Sequence, residues 1–140
     1  MDAGIDTVAM FLNSGEIIQE QYRDQPVKTF TVEKSGKYAY LPISVLINQG
    51  TASAAEIIAG ALQAHNRASL IGYPSYGKDS IQLIFDLQDG SSLHVTSAHW
   101  WIPGFDFPDN GFRLLPDIQL SGAEAKDAEY IEAAIEALQR

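Results

Sequence analysis

Leu41-Pro42-Ile43-Ser44-Val45-Leu46-Ile47-Asn48-Gln49-Gly50-Thr51-Ala52-Ser53-Ala54-Ala55-Glu56-Ile57-Ile58-Ala59-Gly60-Ala61-Leu62-Gln63 is the stretch whose reading decides the fold. Leu41 to Asn48 is nearly all apolar, the pattern of a strand covered on both faces. Gln49-Gly50-Thr51 interrupts it. From Ser53 to Asn66 the residues Ala54, Ala55, Ile57, Ile58, Ala59, Ala61, Leu62 and Ala64 leave almost no polar face, so a helix here belongs inside the protein. An apolar strand turning into a buried helix is a unit of α/β architecture.

Upstream, Ile5, Val8, Ala9, Phe11 and Leu12 recur at helical spacing, and Asn13-Ser14-Gly15 ends the pattern. Glu16–Arg23 and Val27–Glu33 are β-prone and read as a strand pair around Asp24-Gln25-Pro26. Downstream come a short strand over Ala68–Gly72, a turn-rich loop over Tyr73–Gly77, and two alternating strands, Ser80–Leu87 and Ser92–Trp100. Asp89-Gly90 between those two is a hairpin signal. Pro103–Pro116 reads as loop and Asp117–Leu120 as a short strand. From Ala123 an amphipathic helix sets Ile131, Ala134, Ile135 and Leu138 on one face. With no repeat, low-complexity tract or linker, residues 1–140 read as a single α/β domain with a mixed sheet and a buried central helix.

Eighteen acidic against nine basic residues give a net charge of -9, which repels phosphate backbones and anionic surfaces, so no nucleic-acid partner is expected. No apolar run approaches the roughly 18 residues a membrane-spanning helix needs, so no membrane insertion is expected. The absence of cysteine excludes disulfides and thiol chemistry.

Three stretches invite a chemical reading. Gly72-Tyr73-Pro74-Ser75-Tyr76-Gly77-Lys78-Asp79 comes within one residue of the phosphate loop G-x-x-x-x-G-K-[ST]. Asp79, however, would set a negative charge against the nucleotide, and Ser80–Leu87 has the period of a strand where the loop needs a helix. His65, His94 and His99 form no metal-binding pattern, so no metal is expected. His65 suits a helix C-terminus, and His94 and His99, five apart on one strand, are expected on opposite faces.

The third stretch is Gly50-Thr51-Ala52-Ser53-Ala54-Ala55-Glu56. Ser53 with Glu56 three residues on is, in the plainest reading, a capping box. The same geometry surrounds a serine hydroxyl with free backbone N–H groups and the positive end of a helix dipole, which stabilises an oxyanion. Such a hydroxyl needs a base, and no Ser-His-Asp order can be argued here. Lys78, in a Gly-flanked loop among Tyr, Ile and Leu neighbours, is the alternative base if burial keeps it neutral.

These residues resemble the carboxy-terminal processing (tail-specific) serine protease family. Leu41–Gln63 looks like its nucleophile segment, in which the serine after Gly-[Ser/Thr]-Ala is the nucleophile. Gly77-Lys78-Asp79-Ser80-Ile81-Gln82 resembles its Gly-Lys-Gly-Ser-Val-Gln motif, and the 25 positions from Ser53 to Lys78 match the family separation. The likeness continues through Asp86–Ser91, Trp100–Pro103 and Leu115–Ile118, and back to the Met1–Leu12 helix. The sequence departs from the family at Asp79, where glycine is usual, and at Ala55, where a second serine is common.

The resemblance implies a ClpP/crotonase-like core of β-β-α units and a serine endopeptidase that hydrolyses peptide bonds near protein C-termini without cofactor. It implies Ser53 as nucleophile, Lys78 as general base, Gln82 as a hydrogen-bond partner of the lysine, and the Ala54 N–H as an oxyanion donor. Family members also carry an upstream PDZ domain and a glycine-rich segment that completes the oxyanion hole. The chain is therefore expected to be a core fragment with little activity alone, and its uncovered apolar surface predicts a homodimer. Substrate C-termini are the implied partners and the cell envelope, periplasmic or extracytoplasmic, the implied location. The alternative is a catalytically silent scaffold of the same fold; an acyl-CoA enzyme of the crotonase type finds no acidic pair or adenine-binding pattern in support.

Overall fold

The computed structural model describes residues 1–105, 112–121 and 126–139. In chain order the elements are α1 (Asp2–Ala9), β1 (Glu16–Tyr22), β2 (Lys28–Thr31), β3 (Ser44–Ile47), α2 (Ala54–Ala64), β4 (Ser69–Gly72), β5 (Ser80–Asp86), β6 (Ser92–Trp101), β7 (Ile118–Gln119) and α3 (Asp127–Leu138). The α/β class is borne out, with its antiparallel and parallel pairings divided between two sheets. An antiparallel sheet runs β2-β1-β6-β5 and a parallel sheet runs β3-β4-β7.

Parallel neighbours need a crossover, and α2 supplies it between β3 and β4, which pair in register from Ser44 with Ser69 to Ile47 with Gly72. The expected β1–β2 pair turns at Asp24, held at φ 58°. The β5–β6 hairpin closes at Gly90, whose φ of 83° is open to glycine at no steric cost.

The helix with no polar face is buried as expected: Glu56, Ile57, Ala59, Gly60, Ala61 and Leu62 are covered, and α2 packs on α1, β1 and β4. Around it gather Val8, Leu12, Ile17, Ile18, Leu70, Ile102 and Leu114. Trp100 closes the core with its ring edge-to-face on Phe112, the centroids 4.6 Å apart. His65 caps the C-terminus of α2, where Nε2 lies 2.7 Å from the Glu16 carbonyl.

One burial expectation is corrected. The apolar run Leu41–Asn48 yields only the four-residue β3, with Ile47 buried but Leu46 44% exposed. β3 is an edge strand, so its apolar character is not matched by cover on both faces. The terminal helix lies over β3 and β4, yet Ile131, Ile135 and Leu138 are exposed; the half-buried positions are Tyr130, Ala133, Ala134 and Ala137. Small side chains let the helix backbone approach the sheet, where Ser44 Oγ donates to the Ala134 carbonyl at 3.2 Å. The first residues of the expected terminal helix and the middle of the Pro103–Pro116 loop lie outside the described residues.

Candidate active site

Ser53 is the N-cap of α2 and sits at φ 52°, ψ -116°, a conformation that side chains other than glycine rarely adopt. Strain of this kind costs about 1–3 kcal/mol and persists only where the surroundings over-determine it. Here they do. Asn48 accepts the Gly50 N–H at 2.8 Å and gives its own N–H to Thr51 Oγ1 at 3.1 Å, which folds the turn ahead of the serine. The Ser53 N–H donates to Glu56 Oε2 at 2.8 Å, one arm of the capping pair expected from the sequence.

Glu56 does more than cap. It is fully buried, and four donors converge on it. Oε1 accepts from Ser75 Oγ at 2.5 Å and the Gly77 N–H at 2.7 Å; Oε2 accepts from the Ser53 N–H and from the Lys78 N–H at 2.9 Å. The amide nitrogens of Ser53 and Lys78 thus share one oxygen, and can lie no further apart than those two bonds end to end. Tyr76 adds a second tie, donating its N–H to the Thr51 carbonyl at 2.9 Å.

The loop that carries Lys78 is pinned from its other side. Ser75 is buried, accepts the Leu114 N–H at 2.9 Å and donates its own N–H to the Leu114 carbonyl at 3.0 Å. Gly77 holds φ +91°, and a Cβ there would stand 2.0 Å from the Phe112 carbonyl oxygen, so only glycine fits. After Lys78 the chain enters β5 rather than a helix, the opposite of what a phosphate loop requires.

Of the residues singled out from sequence, Ser53 and Lys78 meet at Glu56 through their backbone N–H groups, Ala54 follows Ser53 as the first residue of α2, and Gln82 does not join them. Ala54 opens α2, so its N–H belongs to the first helical turn and is not taken up by the helix. Lys78 is half-buried. Among the described residues no hydrogen bond joins Ser53 Oγ to Lys78 Nζ, and Lys78 makes no ion pair. Gln82 is exposed on β5, its side chain without a hydrogen bond to the lysine.

The Asp79 carboxylate turns to β6, where Oδ2 lies 3.1 Å from His99 Nδ1. His94 and His99 share a face rather than standing on opposite ones. They pair with Ile84 and Ser80, four apart on β5, because a bulge between Ile81 and Gln82 inserts one residue into β6. No group of three metal-binding side chains occurs among the described residues.

Beside the serine turn is a recess of about 380 Å³ lined by Leu46, Ile47, Asn48, Thr51, Tyr130 and Ile131, among others. Burial, reinforced by the Tyr73 phenol, pushes the Tyr130 phenol above its usual range, while Asn48 acts in the other direction. The tie through Glu56 and Ser75 was missed from sequence. Its one legible trace was Glu56 three residues after Ser53, which reads equally as a cap.

The turn is that of an α/β protein in which a strained serine and the backbone of a loop lysine are tied to one buried carboxylate. The particular family follows from comparison. Residues 1–120 match the model of peptidase family S41, and the chain belongs to that family. It is 41% identical over 119 residues to a carboxy-terminal-processing protease of Bartonella bacilliformis, covering 84% of this chain and 27% of that protein. It is 42% identical over 104 residues to a carboxyl-terminal-processing protease of Synechocystis, covering 74% and 24%.

Among solved structures, a photosystem II D1 C-terminal processing protease superposes with a TM-score of 0.73 at 30% identity, over 98% of this chain and 34% of that one. The fold is also that of a putative peptidase from Parabacteroides merdae, with a TM-score of 0.74 at 18% identity over 98% and 47%. The chain spans about a quarter of the length of the relatives it matches.

Proposed function

We propose that this chain is the core of a serine endopeptidase that cleaves peptide bonds near protein C-termini through a Ser–Lys dyad. Ser53 Oγ attacks the scissile carbonyl while neutral Lys78 takes its proton. The Ala54 N–H stabilises the oxyanion, the lysine then protonates the leaving amine, and water releases the acyl group from Ser53 by the same route. Gln82 orients the lysine amine once substrate draws the site together. The observation that supports this most directly is the shared carboxylate: Glu56 Oε2 accepts the amides of both Ser53 and Lys78.

The names of the relatives supply the substrate class, and with it we propose an extracytoplasmic setting. We further propose that the whole protein carries an upstream PDZ domain and glycine-rich oxyanion segment, so that this chain alone hydrolyses proteins weakly. A second reading, a silent scaffold of the same fold, is favoured by the absence of a hydrogen bond between Ser53 Oγ and Lys78 Nζ.

A fluorophosphonate probe separates the two, because it reports nucleophilicity without a complete substrate channel. Ser53 should be labelled, Ser53→Ala should not, and Lys78→Ala should label about 10²–10⁴-fold more slowly, the range of general-base contributions. Labelling of Ser53→Ala at the wild-type rate, or of Lys78→Ala without slowing, would sink the dyad.

A further inference from the structure

Asp79 is a liability for a catalytic lysine. A carboxylate on the next residue favours the ammonium form, whereas a general base must be neutral to accept a proton. The fold meets this locally. The backbone around Asp79 is fixed on both sides, since the Lys78 N–H is held by Glu56 and the Asp79 carbonyl accepts the Trp100 N–H at 2.9 Å. Ser80 pairs with His99, which brings the imidazole across the ladder from Asp79, and Oδ2 meets Nδ1 at 3.1 Å.

We propose that His99 is a positioning residue that holds the Asp79 carboxylate on β6 and so keeps it from stabilising the charged form of Lys78. The proposal rests on the assignment of Lys78 as general base. With Nδ1 carrying its proton, the ring donates to the carboxylate and fixes its direction; when the second ring nitrogen is also protonated, the pair is neutral overall. Glu56 on α2 faces the same segment, but its oxygens are occupied by four donors. Arg23 and Asp24, just beyond β1, are the charged residues that line with His99 a recess of about 620 Å³.

Both partners are substantially exposed, His99 by 60% and Asp79 by 42%, so solvent screening keeps the effect small. The experiment is the rate of Ser53 labelling by the fluorophosphonate as a function of pH in wild type, His99→Ala, Asp79→Asn and the double variant. His99→Ala should move the acid limb to higher pH and slow labelling on that limb about two- to fivefold, as expected of an exposed pair. Asp79→Asn should leave the limb where it is in wild type, because His99 already directs that charge away from Lys78. In the Asp79→Asn background His99→Ala should change nothing further, since the charge it restrained is gone.

A structural role alone would slow labelling equally in both backgrounds and leave the limb in place, and that result overturns the proposal. Should His99→Ala fail to fold, His99→Gln, which can still donate to the carboxylate, and His99→Leu, which cannot, take its place: equal limbs in the two overturn the proposal. Lys78→Ala separates the two failures. Labelling of Lys78→Ala at the wild-type rate rejects the base and this proposal together, whereas slow labelling of Lys78→Ala with an unmoved limb in His99→Ala rejects this proposal alone.

Discussion

Glutamine in place of Glu56 keeps the shape of the side chain but replaces one acceptor oxygen with a donor. Of the four groups that converge on the carboxylate, three are backbone N–H donors and only Ser75 Oγ can also accept. The least costly orientation turns the new NH₂ toward Ser75 and leaves the Gly77 N–H facing a donor; the other leaves the Ser53 and Lys78 amides unpaired. A buried donor without a partner costs about 1–3 kcal/mol, and hydrogen bonds to a charged acceptor contribute about 1.5–3 kcal/mol each. The neutral side chain recovers part of this, because burying a carboxylate carries its own desolvation cost.

A net loss of about 2–4 kcal/mol is expected for Glu56→Gln, which for a domain of this size lowers Tm by about 6–15 °C. Thermal unfolding followed by circular dichroism reads it directly. Ser75→Ala gives the companion measurement: both changes act on one network, so together they should cost less than the sum of their separate effects. A Tm within about 1 °C of wild type for Glu56→Gln would refute the view that this carboxylate ties the serine turn to the lysine loop.

Gly77→Ala forces a side chain into a left-handed conformation and against the Phe112 carbonyl, and should lose more than about 2 kcal/mol in denaturant unfolding; an unchanged midpoint would contradict it. The Tyr130 phenol titrates above its usual value of 10.0 in the folded chain, so the unfolded chain ionises first as pH rises. Its stabilising effect is therefore complete below about pH 10 and lost as pH climbs through the folded value; Tyr130→Phe should show a smaller drop in stability between about pH 8 and pH 11. Leu83 and Phe85 stand in the outer half of the β5–β6 hairpin, each 49% exposed, so changing both to threonine should alter unfolding free energy by no more than about 0.5 kcal/mol per site. Ile57→Ala, at 1% exposure, should cost about 2–5 kcal/mol in the same assay.

Most of the secondary structure was legible because it is written in local periodicity. The side chains of Ser53–Asn66 have no polar face, and the helix they form is buried; Asp89-Gly90 marked a hairpin, and a hairpin closes there. Ser53 and Lys78 could be singled out by residue type and by the resemblance of their two segments to the family's motifs. The expectation for the two strand histidines failed because alternation assumes an unbroken strand, and the bulge opposite Ile81–Gln82 shifts the count by one. In the terminal helix a stripe of apolar residues identifies a sticky face without saying what covers it, and alanines, not the isoleucines, meet the sheet.

The sequence by itself determined the α/β class, the buried helix, the strand-to-helix turn at Ser53 and the lysine 25 positions beyond. Tertiary structure alone decided that Glu56 binds both segments and that His99 takes Asp79. These links join positions 3 to 22 residues apart, and in the second case a residue of β6 to the one that precedes β5. No pattern of period two or 3.6 encodes which donors will surround a given carboxylate. That depends on how helix, loop and sheet edge come together once the core has packed.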